Sequence, residues 1–206
     1  NIPSINNISG LGTAFLHKGL KYKIAKTLYR ISLPLAAKVF CQNDEDFDLL
    51  TNLKILRTGQ LKLLPGSGVD ILRFNPRLKD MNNKARPYFR FIYSGRFLAD
   101  KGLRELIEAI KQINNSKICC ELYLIGFKDS ENISAIQSNE INQWSHVPGV
   151  FIIDPTDKIE IFLAQCDCLV LPSYREGMPR SILEACAMEI PIVCSDVPGC
   201  RNIVTH

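Results

Sequence analysis

The chain has 206 residues, of which 46% are hydrophobic and 22% are charged, and its formal net charge is +4. This length and composition suffice for one or two domains with hydrophobic cores. No run approaches the roughly 18 apolar residues of a membrane span, so no spanning helix is predicted.

The charge is unevenly distributed along the chain. Residues 1–90 carry 15 Lys or Arg and 6 Asp or Glu, whereas residues 91–206 carry 10 and 15. Opposite signs predict two parts with different partners. Because the chain begins with Asn1 and ends at "RNIVTH" inside a predicted element, we expect a fragment of a longer protein, cut at both ends.

A basic amphipathic helix is predicted within residues 18–38. Residues 1–43 contain no Asp or Glu, and apolar residues recur at helical spacing from Leu20 to Leu35. Such a helix can lie on an anionic membrane, but it can equally be an ordinary domain helix with a solvated basic face. Nucleic acid is disfavoured as a partner, because few aromatic residues are interleaved with the charges. The basic residues are Lys18, Lys21, Lys23, Lys26, Arg30 and Lys38.

The following segments are typical of an α/β domain. "KVFCQN" (38–43) predicts a strand, and "DEDFDLL" (44–50) predicts a helix whose acidic first turn suits the helix dipole. "QLKLLPGSGVD" (60–70) predicts a strand that runs into a Gly-rich turn. Residues 74–88 are polar and contain prolines, which indicates a surface connection.

From residue 89 onward, predicted strands and helices alternate. Strands that are apolar throughout and separated by helices indicate a parallel sheet, in which ligands bind beyond the carboxyl ends of the strands. One helix carries a capping-box pattern, Asp157 with Glu160 three residues later. Strands are predicted at 89–95, 118–126, 150–153, 168–173 and 191–196, and helices at 101–113, 131–144, 157–166, 179–188 and from 198.

The turn "SGRFLADKG" (94–102) indicates an anion site. Gly95 permits close approach of a ligand, and Arg96 and Lys101 stand between a strand end and a helix start. Two cations beside a helix N-terminus suit a phosphate or diphosphate. The competing interpretation is a pair of solvated charges on a loop.

The segment "REGMPRSILEA" (175–185) places two carboxylates around another helix start. Glu176 lies on the loop with the amides of Gly177 and Met178, Pro179 stands in the first turn, and Glu184 on the second. Carboxylates there suit the hydroxyls of a ribose and of a sugar. Both glutamates can instead be ordinary surface charges.

Metal and disulfide chemistry is not predicted. None of the eight cysteines forms a CxxC pair, and the chain has only three histidines. We expect the cysteines to be small hydrophobic residues of strands and helix faces in a reducing compartment.

Four segments in this order resemble the retaining glycosyltransferases of family 4, which have the GT-B fold. "ISGLGTAF" (8–15) and "VPGC" are most similar to the bacterial branch that builds capsule, O-antigen and lipid-linked oligosaccharides. The four are "LLPGSGVDILRFNP" (63–76), "GRFLADKG" (95–102), "PSYREGMPRSILEA" (172–185) and "SDVPGCRNIV" (195–204).

The resemblance implies two Rossmann-like domains, of which this chain holds part. Residues 1–64 would be the end of an incomplete N-terminal, acceptor-side domain, and residues 65–88 the interdomain turn and linker. Residues 89–206 would form most of the C-terminal, donor-binding domain. His17 does not match the family's cleft histidine, so the acceptor site is expected upstream.

The resemblance also implies roles for individual residues. Arg96 and Lys101, beside Gly95, would hold the donor diphosphate, and Glu184 the ribose. Glu176, with Gly177, Met178 and Pro179, would face the donor sugar, and Ile152 and Ile153 would lie near the base. The catalytic set would be Glu176, Arg96 and Lys101. Asp154 and Asn202 depart from the family's usual Gly and Glu, which leaves the rim of the base pocket open.

The reaction implied is transfer of a sugar from a nucleotide-diphosphate sugar, expected to be UDP-linked, to a glycan or polyprenyl-diphosphate-linked acceptor. It would proceed with retention and without metal or cofactor, in the cytoplasm or at the inner face of the plasma membrane. A nucleotide-sugar epimerase of the same fold, or a donor-binding fragment without activity, are the alternatives that the residues leave open.

Overall fold

The computed structural model describes most of the chain. His17 and His206, and residues 81–86 of the predicted linker, lie outside the described residues. Those described are 2–15, 18–80, 87–116, 118–129 and 131–205.

Strands and helices alternate along the chain. The strands are β1 (Ile5–Ile8), β2 (Lys38–Cys41), β3 (Leu61–Leu63), β4 (Phe89–Ser94), β5 (Cys120–Ile125), β6 (Val150–Ile153), β7 (Cys168–Leu171) and β8 (Ile192–Cys194). The helices are α1 (Leu20–Ser32), α2 (Asp44–Asn52), α3 (Arg77–Asp80), α4 (Leu103–Asn115), α5 (Ser138–Trp144), α6 (Ile159–Leu163) and α7 (Arg180–Ala187).

The strands form two sheets. One has three strands in the order β1-β2-β3, and the other has five in the order β6-β5-β4-β7-β8. All the strand pairs in both sheets are parallel. The α/β class with parallel sheets, predicted from uniformly apolar strands separated by helices, is therefore confirmed.

Contacts divide the chain into two compact units. The first consists of Asn1–Gly68, Arg175–Pro179 and Asp196–His206, and the second of Val69–Tyr174 and Arg180–Ser195. The domains proposed from the sequence, with boundaries near residues 64 and 89, stay a prediction, because contacts alone do not define independent folding.

In the first unit, helix α2 begins as its sequence predicts. Asn43 is the N-cap, and its Oδ1 accepts a hydrogen bond of 2.8 Å from the Asp46 amide. Three acids, Asp44, Glu45 and Asp46, occupy the first turn, where they oppose the positive end of the helix dipole. Leu50 of this helix is fully buried in the core beside β2.

Helix α1 packs on the same core through an unexpected face. Tyr22, Ala25 and Tyr29 lie against the core, and the rings of Phe15 and Tyr29 stack with centroids 5.7 Å apart. The apolar stripe noted in the sequence points the other way. Its members are 52% to 80% exposed, and they are Leu20, Ile24, Leu28, Ile31 and Leu35.

In the second unit, α4 follows its predicted pattern. Leu103, Leu106, Ile107 and Ile110 are buried, as their spacing along one helical face requires. The central strands β4, β5 and β7 supply many of the other buried side chains. The C-terminal ends of these strands position the loops that carry the candidate site.

Three details of the sequence prediction are wrong. The helix predicted for 131–144 is limited to Ser138–Trp144, and the preceding residues form turns that include a bridge between Leu98 and Ala135. The capping box does not form, because α6 begins after Lys158 without a side-chain cap. The segment from 198 to 203 forms turns rather than a helix.

The cysteine prediction is partly wrong as well. All eight cysteines are free thiols. Cys119 and Cys186 are exposed, whereas both were expected in apolar, buried positions. Cys119 precedes the first residue of β5, and Cys186 lies on the outer side of α7.

Within the described residues, none of the helices combines the length and the apolar character needed to cross a membrane.

Candidate functional site

Backbone hydrogen bonds join the carboxyl ends of β4, β5 and β6 in the second unit. The Gly95 amide donates to the Ile125 carbonyl (3.0 Å), and the Gly126 amide donates to the Ile153 carbonyl (3.2 Å). The turn after β4 is fixed further by Tyr93, whose hydroxyl donates to the Arg96 carbonyl at 2.8 Å. These bonds present the turns along one edge, where parallel sheets bind ligands.

Arg96 lies on the surface of this edge. Its side chain is half-exposed, and Nη1 lies 3.2 Å from Asp129 Oδ2 in the turn after β5. An exposed ion pair of this kind contributes little to stability. The guanidinium can therefore exchange this carboxylate for an incoming anion at small cost.

Lys101 is the last residue of a 3₁₀ turn, Ala99–Lys101, directly before α4. The next residue, Gly102, has φ of 69°, and a Cβ there would lie 2.1 Å from the Pro172 carbonyl oxygen. This position therefore requires glycine. The Tyr174 amide donates to the Asp100 carbonyl at 2.9 Å. The Lys101 turn is thus packed, backbone on backbone, against the loop that follows β7.

Glu184 lies on α7 and is 9% exposed. Burial raises the pKa of this carboxyl above its ordinary value, while Arg180 and Arg73 partly offset the rise. Arg180 Nη2 lies 3.8 Å from Glu184 Oε1, and Arg73 forms a 2.7 Å ion pair with Glu160. The two arginines offset only part of the cost of burying the Glu184 carboxylate. Its oxygens are therefore suited to accepting hydrogen bonds from a neutral diol.

Ile152 and Ile153 are half-buried at the end of β6 and pair with Leu124 and Ile125 of β5. The strand order places β6 at the edge of the sheet, with β5 and β4 between it and β7. The Gly126 bond to Ile153 brings these isoleucines beside the turn after β5. Their predicted role near a base stays a prediction.

Gly177 is enclosed by backbone within the first unit. A Cβ at this position would lie 1.4 Å from the Ser9 carbonyl oxygen and 3.1 Å from Gly10 Cα. No side chain fits in such a space, so this position requires glycine. The neighbouring loop residues are Glu176 and Met178, which are half-buried, and Pro179, which is buried.

Side chains of α2 hold the same loop. Asn43 Nδ2 donates to the Gly177 carbonyl at 2.9 Å, and Arg175 forms an ion pair with Asp46. The sequence predicted Asn43 only as the end of a strand and Asp46 only as an acid in the first turn of a helix. Nothing in their spacing indicated a contact with residues more than 120 positions later.

The predicted site residues thus fall into two groups. The second unit holds Gly95, Arg96, Lys101, Ile152, Ile153 and Glu184, and the first holds Glu176, Gly177, Met178 and Pro179. Sequence reasoning also missed Arg73, because a single arginine in "ILRFNP" carries no distinguishing pattern. Over the described ranges, no group of three or more His, Cys, Asp or Glu is placed to hold a metal ion.

Comparison with known proteins identifies the family. The sequence profile of the family "Glycosyl transferases group 1" matches residues 75–206. The chain belongs to this family. The match includes both the Gly95–Lys101 turn and the Glu176–Glu184 segment, but it begins after most of the first unit.

Curated relatives resemble the chain along nearly its whole length. A Campylobacter jejuni N,N'-diacetylbacillosaminyl-diphospho-undecaprenol alpha-1,3-N-acetylgalactosaminyltransferase is 28% identical over 97% of the chain and 54% of the relative. An Escherichia coli UDP-Gal:alpha-D-GlcNAc-diphosphoundecaprenol alpha-1,3-galactosyltransferase is 26% identical over 93% and 52%. The chain therefore spans about half the length of these relatives.

Solved structures establish the fold. Anabaena HepE, in complex with UDP and glucose, superposes with a TM-score of 0.76 at 18% identity, over 99% of this chain and 55% of HepE. Sucrose-phosphate synthase from Thermosynechococcus elongatus gives 0.80 at 20% identity, over 98% of this chain and 52% of the synthase. The fold is of the GT-B type, as the resemblance implied, and the chain covers part of it.

The raised pKa of Glu184 predicts a pH-dependent stability. A carboxyl whose pKa is higher in the folded state binds its proton more tightly there, so its contribution to stability is full below about pH 4 and is lost as the pH rises through the folded pKa. Glu184→Gln removes this loss. Its stability relative to the unmodified chain should therefore increase as the pH is raised from about 4 to about 7.

Thermal or urea unfolding at several pH values measures this difference. Glu131→Gln, which makes the same substitution at an exposed position of the same unit, is the matched control against which this difference is compared. A stability difference for Glu184→Gln that does not vary with pH would contradict the assignment.

Proposed function

We propose that the full-length protein is a retaining glycosyltransferase. It transfers a sugar from a nucleotide-diphosphate sugar, UDP-linked, to a glycan or polyprenyl-diphosphate-linked acceptor during synthesis of cell-surface polysaccharide such as capsule or lipopolysaccharide. The observation that carries the proposal is the family match across residues 75–206, which includes both candidate ligand segments. The names of the relatives, which specify diphospho-undecaprenol acceptors, support the acceptor class.

In this proposal, the chemistry rests on charge at the leaving diphosphate. Negative charge accumulates there as the bond to the sugar breaks, and cations already in place stabilise it without reorganisation. Arg96 and Lys101 supply these cations. Arg96 can leave its exposed Asp129 partner, and the Lys101 turn is held by the Gly102 packing. No metal or cofactor is part of the proposal.

The other residues divide the donor between them. Glu184 accepts hydrogen bonds from the ribose hydroxyls, and Ile152 and Ile153 lie near the base. Glu176, with Gly177, Met178 and Pro179, faces the donor sugar. The acceptor is oriented mainly by parts of the protein outside this chain, and orientation supplies much of the rate. This chain alone should therefore bind a donor without transferring the sugar.

Product analysis of the full-length protein tests the proposed activity. The protein is incubated with a panel of nucleotide sugars, with and without a polyprenyl-diphosphate-linked saccharide, and products are identified by mass spectrometry and NMR. We expect a glycosylated lipid, with the donor's anomeric configuration retained, and free nucleoside diphosphate only when the acceptor is present. Conversion of the nucleotide sugar to its epimer without acceptor would indicate an epimerase instead.

Truncating the cations should separate diphosphate binding from nucleoside binding. A charge-assisted hydrogen bond contributes about 1.5–3 kcal/mol, so Lys101→Ala or Arg96→Ala should weaken UDP binding roughly ten- to hundred-fold. Uridine binding should be nearly unchanged, because uridine carries no phosphate. Calorimetry with the two ligands measures both affinities. Equal losses for UDP and uridine would contradict the diphosphate role.

We also propose that α1 rests on an anionic membrane surface, at the inner face of the plasma membrane. Its exposed apolar stripe, defined above, lies beside exposed Lys21, Lys23 and Arg30. Apolar side chains that enter the interface and cations that approach acidic headgroups act together in such helices. Residues 1–43 contain no Asp or Glu, so α1 and the segments flanking it supply no opposing charge of their own.

Co-sedimentation with phosphatidylglycerol-containing vesicles measures this contact. Binding should fall as salt is raised, since screening shortens the electrostatic range to about 3 Å at 1 M. Lys21→Glu/Lys23→Glu should abolish binding, and Ile24→Ser/Leu28→Ser should weaken it, roughly ten-fold or more. Lys62→Glu/Lys111→Glu changes net charge equally on exposed positions elsewhere and should bind like the unmodified protein. Vesicle binding that changes neither with salt nor with any of these substitutions would refute the membrane role.

A further inference from the structure

The start of helix α2 does not by itself require a buried carboxylate at Asp46. Asp46 is fully buried, whereas its neighbours Asp44 and Glu45 meet the exposed side chains of Asn202 and Arg201. A carboxylate at a helix N-terminus interacts favourably with the helix dipole even at an exposed position. Burying a carboxylate costs free energy unless it is paired and hydrogen-bonded. The position of Asp46 therefore calls for a further explanation.

Asp46 has one partner in the loop Arg175–Pro179, called here the 175–179 loop, and another in the N-cap residue Asn43. Arg175 forms an ion pair with Asp46 Oδ1, and Asn43 Nδ2 donates to Asp46 Oδ2 at 3.1 Å. The same Asn43 nitrogen donates to the Gly177 carbonyl. The loop is thus held on both sides of Glu176, by a side chain before it and by a carbonyl after it.

The pairing is not optimised for stability. Arg175 Nε is buried and has no hydrogen-bond partner in the part of the chain that the structure describes. An unsatisfied buried donor lowers stability. An arginine at the surface would avoid this loss, so the buried contact of Arg175 with Asp46 carries a cost in stability.

We propose that Asp46 is a positioning residue, which through Arg175 and Asn43 fixes the 175–179 loop and thereby aims the Glu176 carboxylate. It does not itself touch the substrate. The inference rests on the proposed function in one respect, the role of Glu176 toward the donor sugar. The restraint that Asp46, Arg175 and Asn43 place on the loop, called here the clamp, is inferred from their contacts alone. The clamp and the role of Glu176 can therefore be tested separately.

Hydrogen–deuterium exchange on the full-length protein tests the clamp without any ligand. In Asp46→Asn, which keeps the size and one acceptor, and in Arg175→Ala, the amides of residues 176–178 should exchange roughly ten-fold faster or more. Exchange in α2, β1 and β2 should change little. Arg57→Ala removes an exposed arginine of the same unit, between α2 and β3, and should leave the 175–179 loop unchanged.

Steady-state kinetics of the same variants separates positioning from general destabilisation. With UDP-N-acetylglucosamine, UDP-galactose and UDP-glucose as probes, the positioning role predicts a loss of kcat of roughly ten- to hundred-fold with UDP inhibition unchanged. Asp46→Asn should retain more activity than Asp46→Ala. If Asp46→Ala does not fold, Asp46→Asn and Arg175→Ala decide the outcome.

The outcomes distinguish the two claims. Unchanged exchange at residues 176–178, or faster exchange spread equally over the whole first unit, would overturn the positioning role. Faster exchange confined to the loop, in a protein that transfers no sugar from any nucleotide sugar, would support the clamp and refute the proposed function.

Discussion

The enclosure of Gly177 by backbone is the constraint on which the loop of Glu176 depends. A methyl group at this position would overlap the Ser9 carbonyl oxygen, at 1.4 Å, so the loop and the segment after β1 must pack backbone on backbone. Such packing constrains the path of the main chain, and the side-chain contacts of Arg175 and Asn43 hold the same loop. The residues before and after Gly177 then have defined directions, and Glu176 is one of them.

A similar contact organises the second unit. At Gly102, a left-handed backbone lies against the Pro172 carbonyl, and this joins the Lys101 turn to the loop that follows β7. Each glycine directly follows a charged residue that is proposed to bind the donor. Gly177 follows Glu176, and Gly102 follows Lys101. Main-chain packing therefore holds the charges in place, while the charged side chains themselves stay partly accessible.

Much of this architecture could be predicted from the sequence. The parallel sheets follow from uniformly apolar strands, and the buried face of α4 from its spacing of Leu103, Leu106, Ile107 and Ile110. Predictions failed where local patterns compete with tertiary contacts. Glu160 matched a capping box, but its carboxylate pairs with Arg73, and residues before Ser138 form turns because Ala135 bridges to Leu98. The spacing of the apolar stripe on α1 could be recognised in the sequence, but its exposure could not. Tyr22 and Tyr29 pack against the core instead, and the stripe faces outward. The contact of Asp46 with Arg175 joins distant parts of the chain and has no local signature.

The central claim is that Glu176 recognises the sugar of the donor, and calorimetry of this chain tests it most directly. The unmodified chain and Glu176→Ala are titrated with UDP and with the nucleotide sugar that binds best in a screen of such donors. The account predicts weak binding by the unmodified chain, roughly −4 to −6 kcal/mol, and loss in Glu176→Ala of the preference for the sugar-bearing donor, with UDP affinity unchanged. Equal weakening of UDP and nucleotide sugar in Glu176→Ala, or no change for either, would contradict it.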